Sequence, residues 1–418
     1  MKGTAMKRIL VCLPVLFIMT FALGANPLRS WNHDFNPALL GITSRKVLEW
    51  GVSPEVGVSN SYFSIGDILV EEIVIDFNDM ADQIADGDLT LGVMTSVETH
   101  LTVSLMGISV GGYGDFSGVS SVGIPGELFE FLADGNSYGG TDSGSGDVYS
   151  RIFFETGVYG GYRWKDYQFG VKLGAFVPLM YTASNAAFRY SISSDAATGE
   201  LSASAGFDVP FYSAINYEDV TGEDILSGLN GVNASFGAIK MKRNKPMYGI
   251  SVTGIALKPA VVPYKMRMYS DASITVDSIA GNIDAEDQDD WVHDTVTDPE
   301  FEVLEEGDYE IKTPIQLGGF YRLTGFPGFI DWIGHGQVTF DEDLQYTLGA
   351  TAVGAFFPLS WVSLGVEYDR VLWRTTLGVK ADVHFMETGL DIGLTGPEFL
   401  SMFGTNGIYG KLYFAFGF

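Results

Sequence analysis

Apolar and polar side chains alternate with a period of two along most of this 418-residue chain. Successive side chains of a β-strand point to opposite faces, so the alternation predicts strands with one apolar and one polar face. Clear runs cover 166–180, 262–269 and 377–385, and in the first of them the odd positions are apolar: Tyr167, Phe169, Val171, Leu173, Ala175, Val177 and Leu179. A soluble β-sandwich also has one apolar face per strand, so this pattern alone leaves a sandwich and a membrane barrel open.

The composition is that of a β-protein and excludes several functional classes. Glycine accounts for 52 residues and aromatic residues for 13%, while charged residues reach only 18% against the usual ~25%. The hydrophobic content of 46% argues against disorder. A net charge of −28 excludes a nucleic-acid partner, because phosphate binding needs a cationic surface. The single cysteine excludes a disulfide framework and a cysteine zinc cluster.

Residues 1–25 have the three regions of a secretory signal peptide. Lys2, Lys7 and Arg8 form the charged region, residues 9–23 form the apolar region, and small residues precede a cleavage site after Gly24 or Ala25. Beyond this segment no stretch stays apolar for eighteen residues. A spanning helix needs about 20 such residues, so we expect the mature chain to cross a membrane only as strands.

The chain ends in an aromatic strand over residues 407–418. Leu412, Phe414, Phe416 and Phe418 share one face. An exposed terminal strand of this kind would invite edge pairing in a soluble protein, whereas in a membrane barrel it is paired on both sides and faces lipid. The pattern resembles the assembly signal of bacterial outer-membrane barrels, although Tyr413 stands where that signal has glycine. The resemblance implies outer-membrane lipid and the barrel-assembly machinery as partners, in the outer membrane of a diderm bacterium.

Together these features predict an all-β fold, a transmembrane antiparallel β-barrel of residues 49–418 with about 14 strands, in a range of 12 to 16. Short helices are expected in loops, at 67–86 and 125–133. Residues 278–310 contain thirteen acidic residues and no Lys or Arg, which predicts a solvated loop. Within it, residues 284–289 lack the glycine that an EF-hand needs at its sixth position, so we predict no metal site.

The stretch from Ser30 to Gly41 reads Ser-Trp-Asn-His-Asp-Phe-Asn-Pro-Ala-Leu-Leu-Gly. Its Asn36-Pro37-Ala38 motif at the head of a barrel resembles the FadL-type long-chain fatty-acid transporters and related barrels of spirochaetes and Bacteroidetes. That resemblance implies 14 strands and an N-terminal hatch inside the lumen, here residues 26–48, with hydrophobic small molecules as substrates. Pro37 removes a backbone donor and biases Asn36 away from helix, which suits an irregular segment.

Charged side chains on the polar faces of strands are predicted to line the lumen. They are Arg151, Glu155, Arg163, Lys172, Lys265, Arg267, Lys380, Asp382, His384 and Lys411. Asp382 and His384 share a strand face and resemble the pair that omptin proteases use for general-base catalysis. The second aspartate pair of that family has no counterpart on a strand, so we predict that the protein is not an enzyme and uses no cofactor.

Three functions remain open from the sequence. A FadL-like transporter of hydrophobic small molecules, such as long-chain fatty acids, predicts a plugged lumen. A general diffusion porin predicts an open polar channel. A surface adhesin or structural barrel predicts that the loops, above all 278–310, carry the binding. We rank the transporter first.

Overall fold

The computed structural model describes residues 28, 32–42, 46–64, 77–84, 88–134, 141–183, 186–195, 197–198, 200–217, 222–242, 245–276, 292–325, 330–341, 344–357, 360–369, 372–383, 385–396, 399 and 406–418. These residues form nineteen strands in one sheet. The strands are β1 Leu48–Asn60, β2 Asp88–Leu105, β3 Ile108–Pro125, β4 Thr141–Trp164, β5 Tyr167–Thr182, β6 Ala187–Ser194, β7 Leu201–Ser213, β8 Gly231–Lys242, β9 Lys245–Lys258, β10 Ala260–Val276, β11 Val292–Val296, β12 Glu300–Ile311, β13 Ile315–Leu323, β14 Ile330–Phe340, β15 Leu344–Phe357, β16 Ser360–Asp369, β17 Leu372–Val383, β18 Met386–Gly396 and β19 Gly407–Gly417.

The sheet closes on itself because the first strand pairs with the last. β1 is antiparallel to β2 on one side and to β19 on the other. The carboxyl-terminal residue completes this seam, since the carbonyl of Phe418 accepts hydrogen bonds from the backbone N–H groups of Val47 and Leu48 at 2.8 and 3.0 Å. Each strand is therefore paired on both edges along the seam, which confirms the predicted antiparallel barrel.

The barrel has 16 strands, so the predicted number of about 14 is wrong by two. β9 runs into β10 and β12 into β13 as single long strands, and the five-residue β11 lies at the margin of the sheet. The additional pair is the hairpin β6–β7, which is stacked in line with β5 and β8. β4 pairs with β6 through Thr141–Asp147 and with β5 through Arg151–Trp164. The alternation of a strand shows only which of its residues face inward and which face outward. Two strands stacked end to end have the same alternation as two neighbouring strands, so the sequence does not distinguish the two arrangements.

The two faces of the wall differ sharply in chemistry. On β1 and β2, Trp50, Val58 and Leu101 are exposed on the outer face, whereas Glu49 and His100 are buried on the inner face. On β19 the four residues of the terminal aromatic pattern all lie exposed on the outer face: Leu412, Phe414, Phe416 and Phe418. An apolar exterior around a buried polar interior is the reverse of a soluble protein and is typical of a membrane barrel.

The two ends of the barrel are also different. One end of the barrel carries the start of β1, the end of β19 and the tight turns β2–β3 and β4–β5. In the β4–β5 turn, Lys165 adopts the left-handed region with φ 53°. At the opposite end lie the long connections that carry helices α1 (Phe77–Ile84) and α2 (Gly126–Asp134), whereas α3 (Gly222–Ser227) joins β7 to β8 part-way along the wall. The predicted helices at 67–86 and 125–133 correspond to α1 and α2, while α3 was not expected. Within the described residues, no helix is long and apolar enough to cross a membrane.

The sequence predicted a solvated loop for the acidic segment 278–310, but part of this segment is strand. Its described part contains β11 and most of β12, which pairs with β10. The side chains of Glu302, Glu305 and Glu306 are exposed. Carboxylates can therefore occupy a strand here because they remain hydrated.

The seam between β19 and β1 gives a test of closure. A Cβ at Gly407 would lie 2.3 Å from the carbonyl oxygen of Val58 and 2.7 Å from Cα of Ser59, whereas a Cβ at Gly410 on the same strand meets nothing within 4 Å. We expect Gly407→Val to destabilise the folded barrel by at least about 2 kcal/mol, because backbone atoms cannot give way. Gly410→Val should match the wild type. The measurement is the urea midpoint of the heat-modifiable band in electrophoresis; equal midpoints for the two variants would contradict the assigned seam.

Candidate functional site

A short 3-10 helix, Pro37–Gly41, lies against the inner face of the barrel wall. Asn36 caps its first turn, because its side-chain Oδ1 accepts a hydrogen bond from the backbone N–H of Ala38 at 3.0 Å. The Asn36 amide also donates to the carbonyl of Ile250 on β9 at 3.0 Å. Pro37 follows at the first helical position, where its missing N–H costs nothing. The motif Asn36-Pro37-Ala38 therefore makes a capped turn and attaches it to the wall.

Glycines in the wall allow the backbone of this turn to approach closely. A Cβ at Gly237 of β8 would lie 2.0 Å from Oδ1 of Asn36, and one at Gly170 of β5 would lie 2.5 Å from Cα of Ala38. Glycine is the residue that permits such an approach because it has no side chain. The inner face is thus flattened where the N-terminal segment docks.

An apolar core forms between the N-terminal segment and the inner wall near the end with the tight turns. Ala38, Leu39 and Ile42 of the segment are buried there. Phe35 and Leu28 pack against the same cluster. The partners in the wall come from six strands: Ile239, Met241, Phe320, Ile333, Val353, Trp361 and Tyr413. Burying these side chains removes apolar surface from water and holds the segment inside the barrel.

Above this core a buried charge cluster connects the segment to the wall. The ammonium group of Lys172 on β5 donates hydrogen bonds of 2.9 Å to Asp34 of the segment and of 2.9 Å to Asp115 of β3. It also lies 4.0 Å from the centre of the Tyr113 ring. Buried charges are tolerated only when they are paired in this way.

His33 is the most deeply buried residue of the cluster, with no solvent-exposed surface. Its Nδ1 lies 3.2 Å from Oδ1 of Asp34, and its ring meets the His100 ring edge-on at 5.9 Å. Burial, and next the nearby Lys172 ammonium, lower the pKa of His33 to about 4. The imidazole is therefore neutral at pH 7. For Asp34, burial acts to raise the pKa, but Lys172 and then His33 hold the pKa of that carboxyl well below its usual range.

A cavity of about 460 Å³ lies between the N-terminal segment and the wall formed by β13–β19. Charged side chains of both signs line it: the cations Arg374, Lys380 and Lys411, and the carboxylates of Asp34, Glu55, Glu98, Glu367 and Asp391. Apolar and aromatic groups line it as well, from both the segment and the wall: Leu28, Phe35, Ile333, Tyr409 and Tyr413. The site is amphipathic, and its volume falls within the ~300–1,000 Å³ that is common for small-molecule pockets.

Each cation of the cavity contacts at least one carboxylate. The Lys411 ammonium lies 2.8 Å from Glu55 and 3.5 Å from Glu98. Lys380 lies 3.4 Å from Asp391.

Arg374 contacts Glu367, whose other oxygen lies 2.9 Å from Nε2 of His335. These pairs fix the positions of the cations along one side of the cavity.

The structure places the charged residues predicted for the lumen in several groups. Lys172, Lys380 and Lys411 face inward around the N-terminal segment and the cavity. Glu155 faces inward too and accepts hydrogen bonds from Tyr113 and Asn233, both at 2.6 Å.

The other predicted residues lie away from that cluster. Arg151 is buried between the rings of Tyr149 and Tyr181, with Nε at 3.6 Å from Asp341. Arg163 is exposed at the end of β4. Lys265 and Arg267 are half-buried on β10, where Arg267 donates to Asp208 at 2.8 Å. Asp382 lies on β17 opposite Glu387, and His384 lies outside the described residues, as does the predicted signal peptide.

Sequence reasoning missed His33, Asp34, Glu98 and Asp115. Glu98 and Asp115 stand directly opposite each other on β2 and β3. An acidic residue on a strand face carries no signal of its partner, because register between strands is a tertiary property. His33 and Asp34 lie three and two residues before Asn36, and this closeness to the Asn36-Pro37-Ala38 motif was the only sequence signal that they belong to the site.

Three solved structures match most of the chain at low identity. The toluene transporter TodX of Pseudomonas putida matches with a TM-score of 0.44 at 9% identity, over 93% of this chain and 94% of that one. The CymD monoaromatic hydrocarbon channel matches with a TM-score of 0.42 at 9% identity, over 95% of both chains. A FadL homologue of Pseudomonas aeruginosa, of the type that the N-terminal motif resembles, matches with a TM-score of 0.42 at 8% identity, over 95% of this chain and 99% of that one. No family model and no curated protein sequence matches the chain.

The cap at Asn36 gives a test of how the segment is attached. Asn36→Ala removes both hydrogen bonds and leaves the Ile250 carbonyl and the Ala38 N–H buried without them, at a cost of about 2 kcal/mol. We expect amide exchange in residues 36–42 to become about 30-fold faster, as measured by mass spectrometry on the folded barrel.

A matched control is Asn230→Ala. Asn230 also makes two side-chain hydrogen bonds to backbone, both to Val261, but it lies away from the segment. Exchange in residues 36–42 should be unchanged in this variant. Equal acceleration in both variants would mean that Asn36 has no special part in the attachment.

Proposed function

We propose that this protein is an outer-membrane transporter whose barrel is closed by its own N-terminal segment, residues 26–48, acting as a hatch. The observation that carries the proposal is the apolar core that Ala38, Leu39 and Ile42 form with the inner wall. A general diffusion porin needs a continuous polar, water-filled passage. Apolar side chains packed inside the barrel oppose such a passage, so the transporter is favoured over the porin.

The outer surface supports the membrane location. Exposed apolar and aromatic side chains cover the wall from β1 around to β19, as a lipid-facing surface requires. Outer-membrane barrels place short turns on the periplasmic side and long connections outside the cell. By this rule the core that closes the barrel lies on the periplasmic side. The helices α1 and α2 lie on the extracellular side, and the extension β10–β12 lies there too.

The cavity beside the segment supports one substrate class. Leu28, Phe35 and Ile333 supply apolar contacts, while Lys380 and Lys411 supply positive charge. A molecule with an apolar chain and one anionic group satisfies both requirements, because a carboxylate forms charge-assisted hydrogen bonds with ammonium groups. Long-chain fatty acids belong to this class, and hydrophobic small molecules in general share its apolar part. Leaving the cavity toward the periplasm requires the hatch to move.

Ejecting the hatch should open the barrel. In Gly237→Val the new side chain occupies the position of Asn36 Oδ1, so the segment cannot dock. We expect the refolded wild-type protein to be nearly silent in a planar bilayer and the variant to carry steady ohmic current. Gly334→Val is the matched control, because a Cβ at Gly334 on β14 meets nothing within 4 Å. It should remain silent.

Two results would contradict the hatch. Steady current through the wild-type protein would favour the porin instead. Silence of a Gly237→Val protein that shows the normal heat-modifiable band would mean that the segment does not close the barrel.

Removal of a cavity cation should weaken the binding of an anionic substrate. Lys380→Met eliminates one charge and leaves the carboxylate of Asp391 to repel a ligand carboxylate. We expect the Kd for a fluorescent long-chain fatty acid to rise about 10-fold or more, since a charged hydrogen bond contributes about 1.5–3 kcal/mol. The corresponding fatty alcohol should bind both proteins equally, and Lys240→Met, which alters an ammonium paired with Asp166 at the barrel end, should change neither Kd.

A further inference from the structure

Three polar atoms converge in the barrel interior beside the N-terminal segment. They are Nε2 of His33, Oε2 of Glu98 and Oδ1 of Asp115, and none of them has a hydrogen-bond partner among the described residues. All three side chains are more than nine-tenths buried. Nε2 of His33 lies 3.6 Å from Oδ1 of Asp115 and 3.9 Å from Oε2 of Glu98. A buried polar atom without a partner is costly, and two such carboxylate oxygens within 4 Å of an imidazole nitrogen that also lacks one indicate a ligand there.

The surrounding contacts orient the histidine toward that point. Nδ1 of His33 lies 3.2 Å from both Oδ1 of Asp34 and the ammonium group of Lys172, so the contacts of the ring are on that side. Nε2 is left facing one carboxylate oxygen of Asp115 and one of Glu98, as a metal-binding imidazole nitrogen would. The other oxygen of Asp115 accepts from Lys172 at 2.9 Å, and the other oxygen of Glu98 lies 3.5 Å from Lys411. Each carboxylate is thus held by one oxygen and directs its second oxygen at His33.

The charge of the cluster points to a divalent cation. Glu98 and Asp115 are direct cross-strand partners on β2 and β3, an arrangement of like charges that destabilises a sheet. The ion-pair network around His33 joins four carboxylates and two ammonium groups: Asp34, Glu55, Glu98, Asp115, Lys172 and Lys411. The formal net charge of these groups is −2 when every carboxylate is ionised, which a divalent cation would balance.

We propose that His33 Nε2, Glu98 Oε2 and Asp115 Oδ1 bind a divalent first-row metal ion such as Zn²⁺, and that this ion holds the N-terminal segment against the barrel wall. Ligand atoms at about 2.0–2.2 Å from such an ion lie a little over 3 Å apart, so the present distances need only a small contraction. One imidazole with carboxylates suits Zn²⁺ or Mn²⁺, whereas Ca²⁺ takes oxygen ligands alone. Asp34 offers a further oxygen within 4.8 Å of ligand atoms on His33 and Glu98.

The ligands come from separate parts of the chain. His33 belongs to the segment, whereas Glu98 and Asp115 belong to β2 and β3. A shared ion therefore adds its binding free energy to the docking of the segment. The site stands on these contacts whether or not the barrel transports fatty acids.

The test is titration of the refolded full-length protein, first stripped with EDTA, with Zn²⁺ alone in a calorimeter at pH 7. We expect one strong site per chain and X-ray absorption that fits one imidazole nitrogen with carboxylate oxygens. His33→Gln should weaken that site at least 10-fold, and so should Glu98→Gln with Asp115→Asn, a pair of substitutions that preserves shape. His335→Gln is the control, because His335 contacts Glu367 in the cavity instead, and it should bind Zn²⁺ like the wild type.

A second readout separates this site from the proposed transport. At a Zn²⁺ concentration ten times the Kd, amide exchange in residues 36–42 should slow about 10-fold in the wild type and not in His33→Gln. Weak, multiple binding that Ca²⁺ reproduces and that His33→Gln does not alter would overturn the proposal, since it would be diffuse association with an acidic chain. Loss of zinc binding in His335→Gln would overturn the assignment too. Neither result depends on whether Gly237→Val conducts.

Discussion

Closure of the sheet between β1 and β19 is the constraint on which the other features depend. A strand in hydrocarbon has no water to satisfy its backbone, so every edge must be paired, and only a closed barrel achieves this. The carboxyl-terminal Phe418 takes part in the seam through its backbone hydrogen bonds with Val47 and Leu48. Once the sheet is closed, the period of two assigns each residue to the lipid face or to the interior. On β19, Phe414 and Phe416 face outward while Lys411 and Tyr413 face inward, for that single reason.

The interior is then filled by two kinds of interaction at different levels. Near the end with tight turns, Ala38, Leu39 and Ile42 bury apolar surface against the wall. Above them, Lys172 and its carboxylate partners form a buried network with His33. The apolar core supplies stability without direction, whereas the charges and the Asn36 cap set the position of the segment. The proposed hatch would have to be both closed and movable, and it would benefit from this division because a polar or ionic contact is sensitive to ligands and cations.

Much of the fold could be predicted from local patterns. Alternation, the lack of a long apolar helix and the aromatic terminal strand identified a membrane barrel. The helix predicted at 125–133 was located to within one residue, and α1 lies inside the segment predicted at 67–86. The number of strands was wrong, because β6–β7 stack in line with β5 and β8, and stacked strands look the same as neighbouring ones in sequence. The prediction that no metal binds rested on residues 284–289. It did not consider His33 with Glu98 and Asp115, which lie in three separate stretches of the chain.

The sequence by itself determined the architecture, since the face of each strand and the pairing of its edges follow from the side-chain period and the solvent. It also marked Asn36-Pro37-Ala38 as a special segment. Only the tertiary structure decided which wall the segment contacts and which charges meet there. Lys172 and Asp34 are separated by 138 residues, and Glu98 meets Asp115 only through the register of β2 and β3. Strand register and closure are cooperative properties of the whole sheet, so no local window of sequence contains them.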